Sequence, residues 1–313
     1  MLPLSLAGHS LLRRSFIHLK GVGPRSERHL WKQGIQDWDQ LLAAAPGHFR
    51  GKRLESVLLS LEESFKAWET GDLYYFDRAF SGQDRWRLIP GCFPEIAYFD
   101  IEASGGGLPP LAYSTTIAFY FRGELLQEHL PQPKRDLLAF ILEQSPMLCT
   151  YSGATYDIPF LASEWGLDFR KAHIDLCPWL RRQGYKGGLK AIQKQLSYLP
   201  QRTAMDINGF DAVRLWGMYR GGHHEALASL QTYNAEDALI LEPLLVDAYN
   251  RERELFPQLN LDALVSAPQP QLETCVDPGV YALLRQGESS AKGFWSQPGG
   301  GKRIQEAAER GDR

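Results

Sequence analysis

At 313 residues, with 44% hydrophobic residues and a net charge of −3, the chain is long enough to bury a core as one domain with attachments or as two domains. No stretch approaches the roughly 18–20 uninterrupted apolar residues of a membrane span, and the opening Met1-Leu-Pro-Leu-Ser-Leu-Ala7 has no basic n-region, so the chain reads as cytoplasmic with no membrane partner. Cys92, Cys149, Cys177 and Cys275 stand far apart, with no C-x-x-C pair and no histidine at zinc-finger spacing, which argues against a disulfide framework and against structural zinc.

Residues 1–53 read as short helices broken by Gly and Pro. They hold nine Lys/Arg (Arg13, Arg14, Lys20, Arg25, Arg28, Lys32, Arg50, Lys52, Arg53) against Glu27, Asp37 and Asp39, a net +6 that leaves −9 for the rest. A basic head suits a polyanionic ligand and an acidic body suits a site that gathers carboxylates around cations; two solvated faces account for the same numbers. Within the head, His18-Leu-Lys-Gly-Val-Gly-Pro-Arg-Ser-Glu-Arg-His-Leu-Trp31 has the form of a helix-hairpin-helix. Gly21 and Gly23 permit a tight turn, Val22 anchors it inward, and Leu30-Trp31 begins the packing of the second helix. The glycines let backbone N–H groups approach phosphate oxygens, while Lys20, Arg25 and Arg28 add charge without reading sequence. A purely structural hairpin would use the same pattern.

Residues 54–94 form a connecting helix, Glu55–Glu69, and a linker in which Tyr74-Tyr75-Phe76 is taken as packing and Trp86-Arg-Leu-Ile89 as strand-like. From 95 to 250 strands and helices alternate, the mark of an α/β domain. Ile96–Ile101 reads as a buried strand, Ala112–Phe121 and Glu124–His129 as a hairpin turning at Arg122-Gly123, and Lys134–Gln144 as a helix. Met147–Tyr151 is a short strand, Asp157–Trp165 a helix, and His173–Leu176 a strand entering a further helix. Ala226–Asn250 carries one long helical pattern. His223-His224 ahead of it reads as an ordinary loop. Residues 251–313 turn rich in Gly, Pro, Ser, Gln and charge, with Pro298-Gly-Gly-Gly-Lys302 near the end, and are expected to be mostly disordered. Protein partners are left open, with this tail as the place for them.

Three acidic signals fall in the α/β region. In Ala97-Tyr-Phe-Asp-Ile-Glu-Ala-Ser-Gly105 strand alternation points Asp100 and Glu102 the same way, with Ile101 opposite them in the core. Like charges so close raise each other's pKa, and a hard cation with oxygen preference turns the cost into a gain. In Cys149-Thr-Tyr-Ser-Gly-Ala-Thr-Tyr-Asp-Ile-Pro-Phe-Leu161 a strand runs through a Ser/Gly loop to Asp157 at the opening of a helix that tolerates Pro159 in its first turn. In Leu230-Gln-Thr-Tyr-Asn-Ala-Glu-Asp-Ala-Leu-Ile-Leu241, Tyr233 and Asp237 are one helical turn apart on a shared face, with Glu236 about 100° around toward solvent. Singly, an exposed turn, a helix-terminus charge and a packing tyrosine account for each.

Together, in this order and context, the three resemble the DEDD exonucleases, the proofreading-type 3′→5′ exonucleases of the RNase H-like superfamily, and within them the DEDDy branch. The layout is similar to the YprB-like group, and His173-Ile-Asp-Leu176 looks like the strand after the second motif. The resemblance covers roughly 86–248. It implies an RNase H-like mixed sheet flanked by helices, preceded here by a small all-helical helix-hairpin-helix domain. It also implies Asp100, Glu102, Asp157, Tyr233 and Asp237 as the catalytic set. The four acids would hold two Mg²⁺ or Mn²⁺ ions roughly 4 Å apart, one generating a hydroxide and the other stabilising the leaving 3′ oxygen, with Tyr233 orienting the water. The implied partner is nucleic acid, DNA ahead of RNA. Many members have Asn where this chain has Ser152, the loop residue expected to meet substrate, and Asp175 is left as structural. The rivals are a structure-selective endonuclease of the same superfamily and a nucleic-acid-binding scaffold whose site has decayed.

Overall fold

The computed structural model describes residues 10–130, 135–200, 207–272 and 276–295. The head builds from α1 (Ser10–Arg13), α2 (Pro24–Lys32), α3 (Trp38–His48), α4 (Gly51–Thr70) and α5 (Leu73–Ala79). Its aromatic content decides the packing: Trp38 is fully buried and ringed by His18, Phe65, Trp68 and Phe76. The expected boundary at residue 53 falls inside α4, which starts at Gly51. The head's core is also continuous with one face of the sheet, since Leu12, Phe16, Trp38 and Leu61 belong to the same buried cluster as Ile96, Tyr98, Met147 and Leu245.

Trp86-Arg-Leu-Ile89, expected to be strand-like, is instead a 3₁₀ turn, Arg85–Leu88, running into α6 (Ile89–Cys92). A four-residue apolar run does not distinguish strand from helix, and Pro90, which has no ladder N–H to give, suits a first helical turn. This turn ties head to body. Oε1 of buried Glu27 accepts the backbone N–H groups of Phe16 at 2.7 Å and Ile17 at 2.9 Å, and its carboxylate takes the Arg87 guanidinium through two bonds of 2.7 and 2.9 Å.

The sheet follows from β1 (Ile96–Ala103), whose side chains are buried at every position except Asp100. β2 (Ser114–Phe121) and β3 (Glu124–His129) form an antiparallel hairpin beside it, closed at Arg122 and Gly123, whose φ values of 53° and 82° give the left-handed turn that matches strand twist. β4 (Met147–Thr150) and β5 (Ala172–Asp175) run parallel to β1, completing a five-stranded mixed sheet of order β3-β2-β1-β4-β5. Period-2 alternation sorts the two faces. Ala97, Phe99 and Ile101 pack with Ile117, Phe119 and Phe121 against α7 (Arg135–Gln144) and α8 (Asp157–Trp165). Lys134, the expected start of α7, lies outside the described residues. The opposite face, with Ile96, Tyr98 and Asp100, meets the helices that follow. The fold class is thus α/β with a mixed sheet flanked by helices and a helical N-terminal region.

After α9 (Leu176–Arg182), α10 (Leu189–Gln195) and α11 (Gly209–Arg220), the single helix expected over Ala226–Asn250 is two: α12 (Glu225–Leu239) and α13 (Leu241–Glu254). Pro243 is the cause. It has no N–H for the carbonyl of Leu239, which accepts instead from the Gln269 side chain. The tail expected to be mostly disordered carries α14 (Pro278–Trp295), whose Val280 and Leu284 pack with Leu215 and Leu230. Buried apolar residues one helical turn apart, Val280 and Leu284, outweigh the polar composition around them. Pro298-Gly-Gly-Gly-Lys302 and Cys275 lie outside the described residues; Cys92, Cys149 and Cys177 are free and buried. Among the described residues no helix is long and apolar enough to cross a membrane.

Candidate active site

The acidic corner forms where α12 crosses β1 and β2. Asp100 and Glu102 project from one face of β1, and Asp237 comes down from α12. The three carboxylates each offer an oxygen within 4.8 Å of the others, with Glu102 and Asp237 buried and Asp100 half-buried. In so little solvent, three negative charges repel strongly, and a divalent cation with a preference for carboxylate oxygen fits the donor set.

Asp157 sits beside this set, without joining the group of three, as the first residue of α8. Its Oδ1 accepts the N–H of Ile101 at 3.2 Å, so the peptide between the two β1 acids holds the acid of the second motif in place. Burial, and after it the charge of Asp100, pushes the Asp157 carboxyl well above the usual range. The loop that delivers Asp157 is organised by Asp175: its Oδ1 accepts from the N–H of Ser152 at 2.8 Å and of Cys177 at 3.0 Å, and its Oδ2 from Ala154 at 3.2 Å. Asp175 is therefore a loop clamp and the N-cap of α9. Ser152 has φ 65°, the left-handed region that Asn tolerates better than Ser, which gives a backbone reason for the Asn of the resembling sequences. Gly153 has no substitute, because a Cβ there would lie 2.4 Å from Oγ1 of Thr150.

Tyr233, 5% exposed, lies one turn before Asp237 and packs in the cluster formed by α11, α12 and α14. Over its ring, 4.0 Å from the centroid, is Nζ of Lys190 from α10. Glu236, expected to face solvent, is buried at 8% exposure, because α12 is packed by β1, β2, β3, α11, α13 and α14 and keeps no open face at this turn.

Two residues escaped the sequence reading. Asn234, fully buried, donates from Nδ2 to the carbonyl of Asp100 at 3.0 Å and to its Oδ2 at 2.9 Å, fixing the carboxylate. Its position next to Tyr233 was the available signal. Lys190 had no such signal, since 42 residues of chain separate it from Tyr233.

At the head, Lys20, Gly21, Arg25 and Arg28 are exposed, Gly23 is half-buried and Val22 is buried. The N–H of Lys20 goes to Oγ of Ser60 at 3.2 Å and that of Val22 to the Leu19 carbonyl at 2.9 Å, so these two hairpin donors are spent inside the fold.

Residues 97–249, just under half of the chain, match the RNase_H_2 family of the RNase_H superfamily. Among solved structures, the family B DNA polymerase from the hyperthermophilic archaeon Pyrobaculum calidifontis is similar at 15% identity and a TM-score of 0.38, over 53% of this chain and 27% of the polymerase. The chain thus spans about a quarter of that protein's length, and the likeness carries no argument about activity. No curated protein matches. The superfamily match and the acidic corner together support a nuclease acting on nucleic acid with help from divalent metal.

Proposed function

We propose that the chain is a 3′→5′ exonuclease that hydrolyses phosphodiester bonds of DNA, and of RNA as a second substrate, with two Mg²⁺ or Mn²⁺ ions held by Asp100, Glu102, Asp157 and Asp237. The observation that carries the reading is the convergence of Asp100, Glu102 and Asp237 within 4.8 Å, with Tyr233 one helical turn from Asp237. Divalent ions bound there would neutralise charge on the scissile phosphate and lower the pKa of water.

The chain's own groups do the rest. Asn234 keeps Asp100 turned toward the site through its two hydrogen bonds. Tyr233 presents a phenol that can hold the attacking water in line with the phosphorus, and Lys190 over its ring limits the ring's motion and adds a positive charge where the phosphate's negative charge grows. The Ser152 loop, clamped by Asp175, borders the site where the terminal nucleotide would lie.

The test is digestion of 3′-labelled linear and of circular single-stranded DNA, with Mn²⁺ or with EDTA. Release of mononucleotides from the linear strand in Mn²⁺ alone is expected, with circular DNA untouched and a loss of about 10³-fold or more in Asp100→Ala. Nicking of the circle would show an endonuclease, and full activity in EDTA or in Asp100→Ala would remove the metal reading.

A further inference from the structure

α14 lies beyond residue 249, where the family segment ends, and packs against the helix that carries Tyr233. Its inward residues stand one turn apart: Val280 is buried and Leu284 wholly so. With Val276 they share one cluster with Leu215 and Trp216 of α11 and with Leu230 and Tyr233 of α12. Leu283, next to Leu284 in the chain, faces outward at 43% exposure.

Two polar anchors set the helix in place. At its start the N–H of Asp277 donates to Oγ of Ser229 at 3.1 Å, while Oδ1 of Asp277 accepts the N–H of Val280 at 2.8 Å. Ser229, Tyr233 and Asp237 follow at intervals of four residues, so the anchored hydroxyl, the phenol and the acid lie along one stripe of α12. Two turns into α14, Arg285 donates from a terminal nitrogen to Oδ2 of Asp211 at 3.2 Å, and its guanidinium lies 4.9 Å from the centre of the Tyr281 ring. Asp211 is wholly buried and belongs to the capping box of α11, where its Oδ2 also accepts the N–H of Asn208 at 3.2 Å. α14 is therefore bonded to α12 at its start and to α11 farther along, and the cluster of Tyr233 lies between the two bonds.

A phenol that aligns an attacking water has little freedom, since a misplacement of about 1 Å can cost roughly 10²-fold in rate. Close packing supplies the restraint, because any shift of a packed ring opens a void on one side and forces overlap on the other. On the side of α14 that restraint comes from Val280 and Leu284, and they stay in place because Arg285 is tied to an acid that α11 holds rigidly.

We propose that α14 positions Tyr233, with Val280 and Leu284 as the wall behind its cluster and Arg285 as the residue that locks this wall onto α11. These are positioning residues, acting on the reaction through the phenol. The inference rests on the nuclease reading and deepens it: turnover depends on a helix outside the family segment.

Full-length Leu284→Ala, Leu283→Ala, Arg285→Ala and Arg285→Lys, each alone and combined with Tyr233→Phe, test it by steady-state hydrolysis of thymidine 5′-(p-nitrophenyl phosphate) in Mn²⁺. The temperature is one at which circular dichroism shows every variant folded. Leu284→Ala and Arg285→Ala are expected to lower kcat about 10-fold with KM within about 2-fold of wild type, Arg285→Lys to keep most of the rate, and Leu283→Ala to match wild type. In the Tyr233→Phe background the same changes should cost less than about 2-fold, because the group they position is gone. An unchanged kcat, losses of equal size with and without the Tyr233 hydroxyl, or equal losses from Leu284→Ala and Leu283→Ala would overturn the proposal. Hydrogen exchange of the α12 amides around Tyr233 is measured on the same proteins without substrate. If the wild type hydrolyses nothing in Mn²⁺, the nuclease reading fails and exchange decides the restraint: faster exchange in Leu284→Ala than in Leu283→Ala upholds α14 as what holds Tyr233, and equal exchange overturns it.

Discussion

Glu27 in the head and Asp157 at the acidic corner are both almost wholly buried, at 2% and 6% exposure, and the fold treats them in opposite ways. Glu27 receives two backbone N–H groups and a two-pronged arginine. Asp157 receives the N–H of Ile101 and faces the negative charge of Asp100. A carboxylate that holds a fold together is given a counter-charge by the chain itself. One placed against another carboxylate, at a cost in stability, points to a counter-charge that arrives from outside.

The largest expected effect of breaking this comparison is in the head. Glu27→Ala leaves Arg87 with only Asp84, 3.7 Å away, as counter-charge and removes the acceptor of the Phe16 and Ile17 N–H groups, and removal of one partner of a buried pair costs about 3–5 kcal/mol. Urea unfolding should show that loss; a change below about 1 kcal/mol would mean that the pair holds nothing. Next in size is Tyr233→Phe. If the phenol orients water, turnover should fall roughly 10²-fold, with oligonucleotide binding and melting temperature near wild type. Parallel losses in rate, binding and stability would mark Tyr233 as a packing residue.

The two regions' pH responses, each confined to the acid side, should have opposite signs. His18 is buried among Trp38, Phe76 and Phe80, and burial brings its pKa down from the ordinary 6.5 to about 3. Between those values the unfolded chain binds a proton that the folded one does not, so stability falls as pH falls, by about 1.4 kcal/mol per pH unit, and the loss is complete below about 3. Asp157, with its pKa raised, binds its proton in the folded state first, so in metal-free protein its share of stability grows as pH falls toward the ordinary carboxylate range. Denaturant titrations from pH 7 to pH 4 in EDTA should show a shallower acid-side loss in His18→Phe and a steeper one in Asp157→Asn. An unchanged slope in both would contradict these assignments.

The features that were legible in the sequence are those set by local periodicity. Strand alternation put Asp100 and Glu102 on one face, a helical turn put Tyr233 over Asp237, and the Ser/Gly loop before Pro159 marked the start of α8 at Asp157. What needed the structure was decided by distant chain. Asn234 acquires meaning only when Asp100 lies under it, and Lys190 only when α10 lies against α12. The solvent face assumed for Glu236 vanished because α14 and its neighbours pack around α12. Pro243 was visible in the sequence, and its missing N–H was reason enough to expect two helices where the apolar spacing suggested one.

The central claim, that the acidic corner is a cage for metal, is tested most directly by thermal melts of wild type and Asp237→Asn in EDTA and in millimolar Mn²⁺. Without metal, removing one charge relieves repulsion, so Asp237→Asn should melt at or above wild type. With metal, wild type should gain by RT ln(1 + [L]/Kd), about 2.7 kcal/mol at a hundredfold excess over Kd, and Asp237→Asn should gain less. Equal Mn²⁺ shifts in the two proteins would mean that Asp237 does not hold metal.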